Sequence, residues 1–302
     1  MLDISTFILT YNEERHIERC IKNAQRYAKK VYVVDSFSTD CTVELARSLG
    51  AEVYQNEWVN HSHQTNWALK NLPIDTEWVW RQDADEYLTD ELIEELERVI
   101  PNAPVGVNAY TTPCLRKFMG KEIKHGILPL VLLRLFRHRY GKCEERLMDE
   151  HIEITEGSVG ILHHAFYDDS KMTLSEWTQK HNGYSDKEAV DLLMTEYGLM
   201  QGGENLNMGE DSVNIRKKKL KYIKMPLFWR AFGFFILRYI FRGGFLDGKE
   251  GFLWHFLQGF WYRSLADAKV YEIKKRCDFD KEKIVNYLIS GYVKNNLRGG
   301  KP

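Results

Sequence analysis

Cysteine is scarce in this chain of 302 residues, and its five cysteines form no C-x-x-C pair. An odd number of scattered cysteines argues against a disulfide framework and a zinc ribbon, and it fits a reducing cytosol. The N-terminal segment MLDISTFIL has no positively charged start and no small-residue cleavage site, so we expect no secretory signal. No uncharged apolar run reaches the ~18 residues that a membrane-spanning helix requires.

Two common phosphate-binding motifs are also missing. The first predicted strand is not followed by G-x-G-x-x-G, and no Walker A sequence occurs anywhere in the chain. These absences argue against a dinucleotide-binding Rossmann domain and a P-loop nucleotidase. Internal repeats are absent as well.

The net charge of −1 conceals an uneven distribution of charged residues. Residues 1–215 hold 22 Lys and Arg against 36 Asp and Glu, whereas residues 216–302 hold 20 against 7. Such asymmetry suggests that the basic part meets an anionic surface. The candidates are nucleic acid, an acidic membrane and the acidic half of the protein itself.

Short apolar runs alternate with amphipathic stretches through the first hundred residues. The patterns predict strands at 4–9, 30–35, 51–55 and 77–83, and helices at 12–28, 38–50, 61–72 and 89–100. This series predicts an α/β fold with a mainly parallel sheet covered by helices. Residues 105–166 are richer in strand patterns, and a helix is predicted over 172–200.

The segment RQDADEYL places Asp83, Asp85 and Glu86 within four positions, directly after the apolar run WVW. Ligands of parallel sheets bind at the carboxyl ends of strands, where TYNEE and DSFSTD also fall. Two carboxylates at such an end can share a hard cation, and Mg²⁺ typically takes only one or two protein carboxylates. The alternative is a solvated acidic turn beside a helix N-terminus.

Four segments follow one another at fitting intervals: TYNEE, VVDSFSTDCT, QTNWAL and RQDADEYL. In this ordered set the chain resembles family 2 glycosyltransferases with the GT-A fold, and among them bacterial enzymes similar to lipopolysaccharide-core β-glucosyltransferases. The resemblance implies a catalytic domain over residues 1–200, with a nucleotide-sugar half at about 1–100 and an acceptor half at about 101–200. A Gly-rich joint at 201–215 and an amphipathic helical extension at 216–302 complete the predicted organisation.

The resemblance also assigns roles to individual residues. The residues implied to bind the nucleotide sugar are Thr10, Tyr11, Asn12, Glu13, Asp35, Ser36, Gln64, Asn66, Asp83 and Ala84. Asp85 would be the main ligand of Mn²⁺ or Mg²⁺, and Asp35 would bind the base or else cap the helix beginning near Thr39. Many relatives carry a basic residue where this chain has Thr65, which weakens the case for QTN gripping the diphosphate.

The segment ERLMDEHIEI supplies two candidates for the catalytic base, Asp149 and Glu150. Inverting sugar transfer needs a carboxylate that takes the proton of the acceptor hydroxyl. Neighbouring strand residues point to opposite faces, so one of the two should face the site. The match of MDE to the family favours Glu150. The alternative is a surface salt bridge with Arg146 or His151.

Histidines and arginines near the end of the predicted catalytic domain offer further ligands. The segment ILHHAF contains His163 and His164, and the resemblance implies that His164 contacts the metal or the diphosphate. A structural histidine at a strand end is the alternative. Arg134 and Arg137 would meet phosphates or form a solvated basic face.

The basic tail has the pattern of a protein that lies in a membrane interface. Residues 216–242 contain nine Lys and Arg and no acid, and the aromatic-rich segment 252–265 follows. Arg230 and Arg238 would lie about 80° apart on a helix, as a narrow polar stripe within an apolar surface. The alternative is a segment for core packing or homo-oligomerisation. Nothing reads as a base-recognition module, so a nucleic-acid partner is disfavoured.

These features predict an inverting hexosyltransferase attached peripherally to the cytoplasmic face of a bacterial plasma membrane. It would move a hexose from a UDP-sugar to a lipid-linked glycan, such as lipopolysaccharide core or an undecaprenyl-diphosphate oligosaccharide. dTDP- and GDP-sugars remain open as donors. The alternatives are a polyprenyl-phosphate sugar synthase, which needs no base, and a non-catalytic membrane scaffold that binds a nucleotide sugar.

Overall fold

The computed structural model of the protein describes residues 1–127, 130–144, 151–199 and 220–296. Its first part contains β1 (Leu2–Thr10), α1 (Ile17–Ala24), β2 (Ala28–Asp35), α2 (Thr42–Ser48), β3 (Glu52–Gln55), α3 (His61–Asn71), β4 (Trp78–Asp83), β5 (Glu86–Leu88) and α4 (Asp90–Val99). All eight predicted strands and helices of this stretch are present. Helix α1 begins later than predicted, because Asn12 adopts a φ of 56°, outside the right-handed helical region.

The middle of the chain adds further strands and one long helix. The strands are β6 (Val107–Phe118), β7 (Lys121–Glu122), β8 (Leu130–Arg137), β9 (Gly141–Cys143), β10 (Ile152–Ile154), β11 (Ser158–Ile161) and β12 (Phe166–Asp169). Helix α5 (Leu174–Glu196) follows them. It begins with a capping box, in which Thr173 and Glu176 satisfy each other's backbone N–H groups.

The main sheet has the strand order β3-β2-β1-β4-β8-β6-β12-β5, and β7 and β11 also pair with β6. Strands β1 to β4 are parallel to one another, whereas β8 runs antiparallel between β4 and β6. The carboxyl ends of β1, β2 and β4 therefore share one edge of the sheet. The polar loops predicted to form the site follow these ends.

Helices cover both faces of the sheet. Ile8 and Trp80 pack on one face in a cluster that contains residues of α1 and α4. Phe7 and Val79 pack on the other face in a cluster that contains Ala68 of α3. Because successive strand residues point to opposite faces, the consecutive apolar residues Phe7, Ile8 and Leu9 of β1 are suited to a sheet buried on both sides.

The described part of the C-terminal region is helical. It contains α6 (Trp229–Ile236), α7 (Gly248–Trp254), α8 (Tyr262–Arg276) and α9 (Lys281–Asn296), and α6 and α7 each continue into a π-helical segment. Residues of α8 and α9 share a core with Leu192 and Leu193 of α5. Helix α5 thus joins the C-terminal helices to the sheet. The predicted joint at 201–215 and the basic run at 216–219 lie outside the described residues.

The polar stripe of the C-terminal helices points inward. Arg230 is 2% exposed and Arg238 is 6% exposed. Arg230 Nε donates to Asp267 at 2.8 Å, and Arg238 Nε donates to the carbonyl of Gly126 at 3.0 Å. With its arginines buried, this region leaves many large apolar side chains exposed: Phe228, Trp229, Phe232, Leu237, Ile240, Phe241, Phe245, Leu246, Phe252 and Phe256. Within the described ranges, no helix combines the length and the hydropathy needed to cross a membrane.

Candidate active site

The loops after β1 and β2 are bonded to each other at the carboxyl edge of the sheet. Asn12 N donates to Ser38 Oγ at 2.8 Å, and Asn12 Oδ1 accepts from Thr39 N at 2.8 Å. Glu13 N donates to Thr42 Oγ1 at 2.7 Å. These contacts hold residues 10–13, predicted to bind the nucleotide, in one fixed arrangement with the loop that follows Asp35.

Asp35 is fully buried, and its hydrogen bonds help to hold the two loops together. Its carboxylate accepts from Thr10 Oγ1 at 3.0 Å and from Ser38 N at 2.8 Å. Helix α2 begins at Thr42, whose N–H and hydroxyl donate to Asp40, so Asp35 does not cap that helix. In the structure, the contacts of Asp35 therefore stabilise the turn that follows β2. Recognition of the base by Asp35 stays a prediction.

The polar side chains of the QTN segment bond to neighbouring residues of the site, and their contact with a nucleotide sugar stays a prediction. Gln64 is buried, and its amide nitrogen donates to Ser36 Oγ at 2.9 Å. The side chain of Asn66 exchanges two hydrogen bonds with the backbone of Cys143 in β9, each of 2.9 Å. Thr65 is buried as well, so a basic residue at this position would not lie at the protein surface.

Two arginines neutralise part of the acidic cluster after β4. Asp83 accepts from Arg81 at 2.9 Å and from Arg134 at 3.3 Å. Arg134 also pairs with the buried Glu86. Ala84 is buried between these groups. Arg134, for which phosphate binding or a solvated face was predicted, thus has an internal role as counter-ion of two carboxylates.

Asp85 is the carboxylate of the cluster that these arginines do not neutralise. It is partly exposed, and within the described residues no Lys, Arg or His forms an ion pair with it. Burial, together with the charges of Asp168, Asp83 and Glu13, raises the pKa of Asp85 to about 8. A divalent cation would neutralise this excess negative charge.

Asp85 therefore fits a cation whose coordination shell is completed by ligands from outside the protein. In the described part of the chain no three His, Cys, Asp or Glu side chains converge as a ready-made metal site. Mg²⁺ and comparable hard cations do not require such a site when one carboxylate, substrate phosphates and water complete the shell. Asp85 meets that requirement.

A cleft of about 210 Å³ opens on the side of Asp85 that faces α5 and the C-terminal helices. Asp85, Asp168 and Arg116 line it together with Lys180 of α5 and Trp254 of α7. Arg116 pairs with Asp168 at 2.9 Å and lies over the ring of Trp254, with its guanidinium carbon 5.3 Å from the centroid. Residues from three regions of the chain thus meet beside Asp85.

Several of these residues were missed by sequence reasoning. Asp168, Arg116 and Lys180 lie far from the four motifs along the chain, and only the fold brings them to Asp85. The signal for Asp168 was the acidic pair in FYDD, which follows ILHHA as the carboxylates of RQDADEYL follow WVW. Lys180 belongs to the segment QKHNGYSDKEA, within the predicted helix at 172–200, and its local pattern indicated no chemical role.

The structure separates His164 from Asp85, contrary to its predicted place in a metal site. Strands β5 and β12 are antiparallel, with Asp168 opposite Glu86 and Phe166 opposite Leu88. His164 precedes β12, at a bend four residues before Asp168. Its imidazole bonds to Glu95 of α4 at 3.0 Å, and the backbone N–H of His163 also donates to Glu95.

Arg137 lies away from this site, and the two candidates for the base are not among the described residues. Arg137 pairs with Glu77 at the start of β4, at the end of the sheet opposite Asp83, so it does not meet a phosphate at this site. Asp149 and Glu150, the candidates for the base, lie outside the described residues. Their role stays a prediction.

Comparison with known proteins identifies the family of the chain. The sequence profile described as Glycosyl transferase family 2 matches residues 5–153. An uncharacterized glycosyltransferase of Rickettsia prowazekii is 30% identical over 204 residues, which cover 64% of this chain and 69% of that protein. The chain belongs to glycosyl transferase family 2. The predicted GT-A fold of this family 2 protein, a mainly parallel sheet flanked by helices, is confirmed.

Two further similarities concern the whole family 2 chain. LpsC of Rhizobium meliloti, a lipopolysaccharide core biosynthesis glycosyltransferase, is 26% identical over 290 residues, which cover 90% of this chain and 93% of LpsC. A solved structure of a mannosyltransferase from Pyrobaculum calidifontis, in complex with GDP-Man and Mn²⁺, has a TM-score of 0.48 and 16% identity. Its match covers 97% of this chain and 87% of that protein.

Proposed function

We propose that this family 2 protein is an inverting glycosyltransferase. It would move a hexose from a nucleotide-diphosphate sugar to a hydroxyl of a lipid-linked glycan, and a UDP-sugar is the first candidate for the donor. The observation that carries the proposal is the position of Asp85. Its carboxylate lacks an ionic partner in the described structure, and it lies between the bonded nucleotide loops and the cleft. A sugar diphosphate with its cation would complete that charge balance.

The donor's nucleotide would lie on the loops after β1 and β2. Thr10, Tyr11, Asn12 and Glu13 would contact the base and ribose, and Asp35, Ser36, Gln64 and Asn66 would hold these loops in shape. Asp83, with Ala84 beside it, would meet the ribose or the donor sugar. Asp85 would hold Mn²⁺ or Mg²⁺, which supplies positive charge to the departing diphosphate.

Transfer would be a single displacement. The acceptor oxygen forms a bond to the anomeric carbon as the bond from that carbon to the diphosphate oxygen breaks, and the bonding electron pair leaves with the nucleoside diphosphate. The acceptor proton passes to a carboxylate of the protein. Glu150 is our candidate for that base, and Asp149 is the neighbouring alternative.

The C-terminal helices would place the site at an anionic membrane surface on the cytoplasmic side. Their exposed apolar face includes Trp229 and Phe241, which are 73% and 77% exposed. Exposed Lys221, Lys224 and Arg242 accompany it. Aromatic side chains next to cations are suited to the boundary between anionic headgroups and acyl chains. The name of the relative LpsC supports a glycan of the lipopolysaccharide core as the acceptor class.

The donor proposal is tested by calorimetric titration of UDP with and without Mn²⁺. We expect the wild type to bind UDP more tightly with Mn²⁺, and Asp85→Asn to lose this metal-dependent gain. Asp75→Asn, which changes an exposed carboxylate at the other end of β4, is the matched control and should bind like the wild type. An undiminished gain in Asp85→Asn would refute the metal role. No binding of UDP, dTDP or GDP by the wild type would refute the donor class.

The membrane proposal is tested by co-sedimentation with vesicles of phosphatidylcholine alone or mixed with phosphatidylglycerol. We expect binding to the anionic vesicles and its loss in the double variant Trp229→Ser/Phe241→Ser. Val105→Ser removes an even more exposed apolar side chain from the sheet region and should bind like the wild type. If the double variant sediments as fully as the wild type, this face does not contact the membrane.

A further inference from the structure

Helix α5 begins against the loop that follows β1. Glu176 in its first turn pairs with Arg15 at 2.8 Å. Just before the helix, the backbone N–H of Lys171 donates to His16 Nε2 at 2.8 Å, and the other ring nitrogen of His16 bonds to Glu13 at 2.6 Å. The start of α5 is thereby fixed relative to the predicted nucleotide loop.

Lys180 lies one turn beyond Glu176 and reaches the space between that loop and Asp85. Its side chain lines the cleft together with Asp85, and the residue is exposed. Although burial opposes it, the charges of Tyr184, Asp85 and Glu13 raise the pKa of Lys180. The charges of both carboxylates therefore act on its ammonium group.

The other cations near the cleft already have partners. Arg116 pairs with Asp168, and Arg19 pairs with Asp169 at 2.5 Å. Lys117 Nζ donates to the hydroxyl of Tyr87 at 2.7 Å. Lys180 also has a tyrosine beside it, with its Nζ 5.7 Å from the ring centroid of Tyr184, but within the described residues it forms no ion pair. It is available to an anionic ligand.

We propose that Lys180 binds the diphosphate of the donor as a second cation, opposite the cation site at Asp85. This inference rests on the proposed function. As the sugar leaves, negative charge develops on the diphosphate oxygen. The ammonium of Lys180 donates a hydrogen bond to it and keeps its proton.

The test is a comparison of ligands that differ only in phosphate number. Uridine, UMP and UDP are titrated with Mn²⁺ into the wild type, Lys180→Met and Lys180→Arg. We expect Lys180→Met to bind UDP roughly tenfold or more weakly, as for a lost charge-assisted hydrogen bond, while uridine affinity is unchanged. Lys180→Arg should recover most of the UDP affinity.

Lys187→Met is the matched control. Lys187 lies on the same helix and also contacts the ring of Tyr184, but it does not line the cleft. It should bind all three ligands like the wild type. An equal loss for uridine and UDP in Lys180→Met would indicate a structural role and overturn the inference, as would an unchanged UDP affinity. A wild type that binds no nucleoside diphosphate would instead overturn the proposed function, and the inference with it.

Discussion

The sheet region and the C-terminal helices place charge and apolar surface in opposite ways. In the sheet, side chains such as Phe7 and Ile8 are fully buried, and carboxylates gather at the strand ends. In the C-terminal helices, Arg230 and Arg238 are buried, and Trp229 and Phe241 face outward. Because a water-exposed helix normally shows the reverse pattern, the difference indicates that the two regions are built for different surroundings.

The two regions also treat buried charge differently. Asp267 receives two hydrogen bonds from Arg230 and one from the backbone of Phe228. Asp85 has no ion-pair partner in the described structure, and burial with three nearby carboxylates raises its pKa. A satisfied charge serves packing, whereas an unsatisfied charge at a cleft is available to a ligand.

The largest expected effect is on the buried ion pair of the C-terminal helices. Asp267→Ala leaves Arg230 charged and buried without its partner, so we expect a loss of about 3–5 kcal/mol in unfolding free energy. Chemical denaturation measures it. The double variant Arg230→Met/Asp267→Leu removes both charges and should recover most of the loss. A loss below about 1 kcal/mol in the single variant would show that water reaches the pair.

A smaller, pH-dependent effect is expected from His255, which is fully buried between α7 and the loop at 123–127. Burial and the charge of Arg238 lower its pKa to about 4, against about 6.5 in the unfolded chain. The neutral ring therefore stabilises the fold above pH 6.5. We expect about 1–3 kcal/mol to be lost as pH falls toward 4.

Chemical denaturation between pH 7.5 and pH 4.5 distinguishes this contribution from that of other groups. His255→Gln cannot titrate, so its stability should decline less steeply than that of the wild type as pH falls. Parallel curves would mean that His255 is not protonated in this range in the unfolded chain or is readily protonated in the folded one.

A more local effect is expected at the start of α5, the helix that connects the two regions. Thr173→Ala removes the side-chain half of the capping box with Glu176. It should cost about 1 kcal/mol of stability in chemical denaturation. Thr178→Ala, in the same helix, removes a hydroxyl that bonds only the carbonyl of Ser175. The control should change stability little, and equal losses would contradict a capping role for Thr173.

The smallest effect on stability is expected for the exposed apolar face. Phe241→Ser should change the unfolding free energy by no more than about 0.5 kcal/mol, because Phe241 packs little against the rest of the protein. Phe7→Ala is the matched comparison in the sheet and should cost about 3–5 kcal/mol. Similar costs for both would mean that the outward face of the C-terminal helices is part of a core.

Much of the fold could be predicted from local pattern. The alternation of apolar runs with capped amphipathic segments gave the order of β1 to α4 and the strand ends that carry Asp35 and Asp83. The path of residues 105–166 could not be predicted, because β6 pairs not only with the adjacent β7 but also with β8, β11 and β12. Such pairing depends on register and neighbours, which a local pattern does not encode.

Local sequence pattern likewise predicted only part of the candidate site. The sequence identified the loop residues Thr10 to Glu13 and the carboxylates Asp83 and Asp85, because they directly follow predicted strands. It placed His164 at the metal, although the antiparallel pairing of β5 with β12 carries that residue away. It also missed Lys180, since a lysine in a helix has no local signal that distinguishes a solvated charge from one directed at a cleft.

The sequence by itself determined the family, the parallel order of the first strands and the amphipathic character of the tail, because these depend on residues close together in the chain. Only the tertiary structure decided which carboxylates are neutralised by Arg81 and Arg134, and that the arginine stripe of the tail faces inward. The physical reason is that electrostatic interaction and burial act between groups that are close in space, and the fold brings together groups far apart in sequence: Arg134 lies 48 residues from Glu86, and Arg238 lies 112 residues from Gly126.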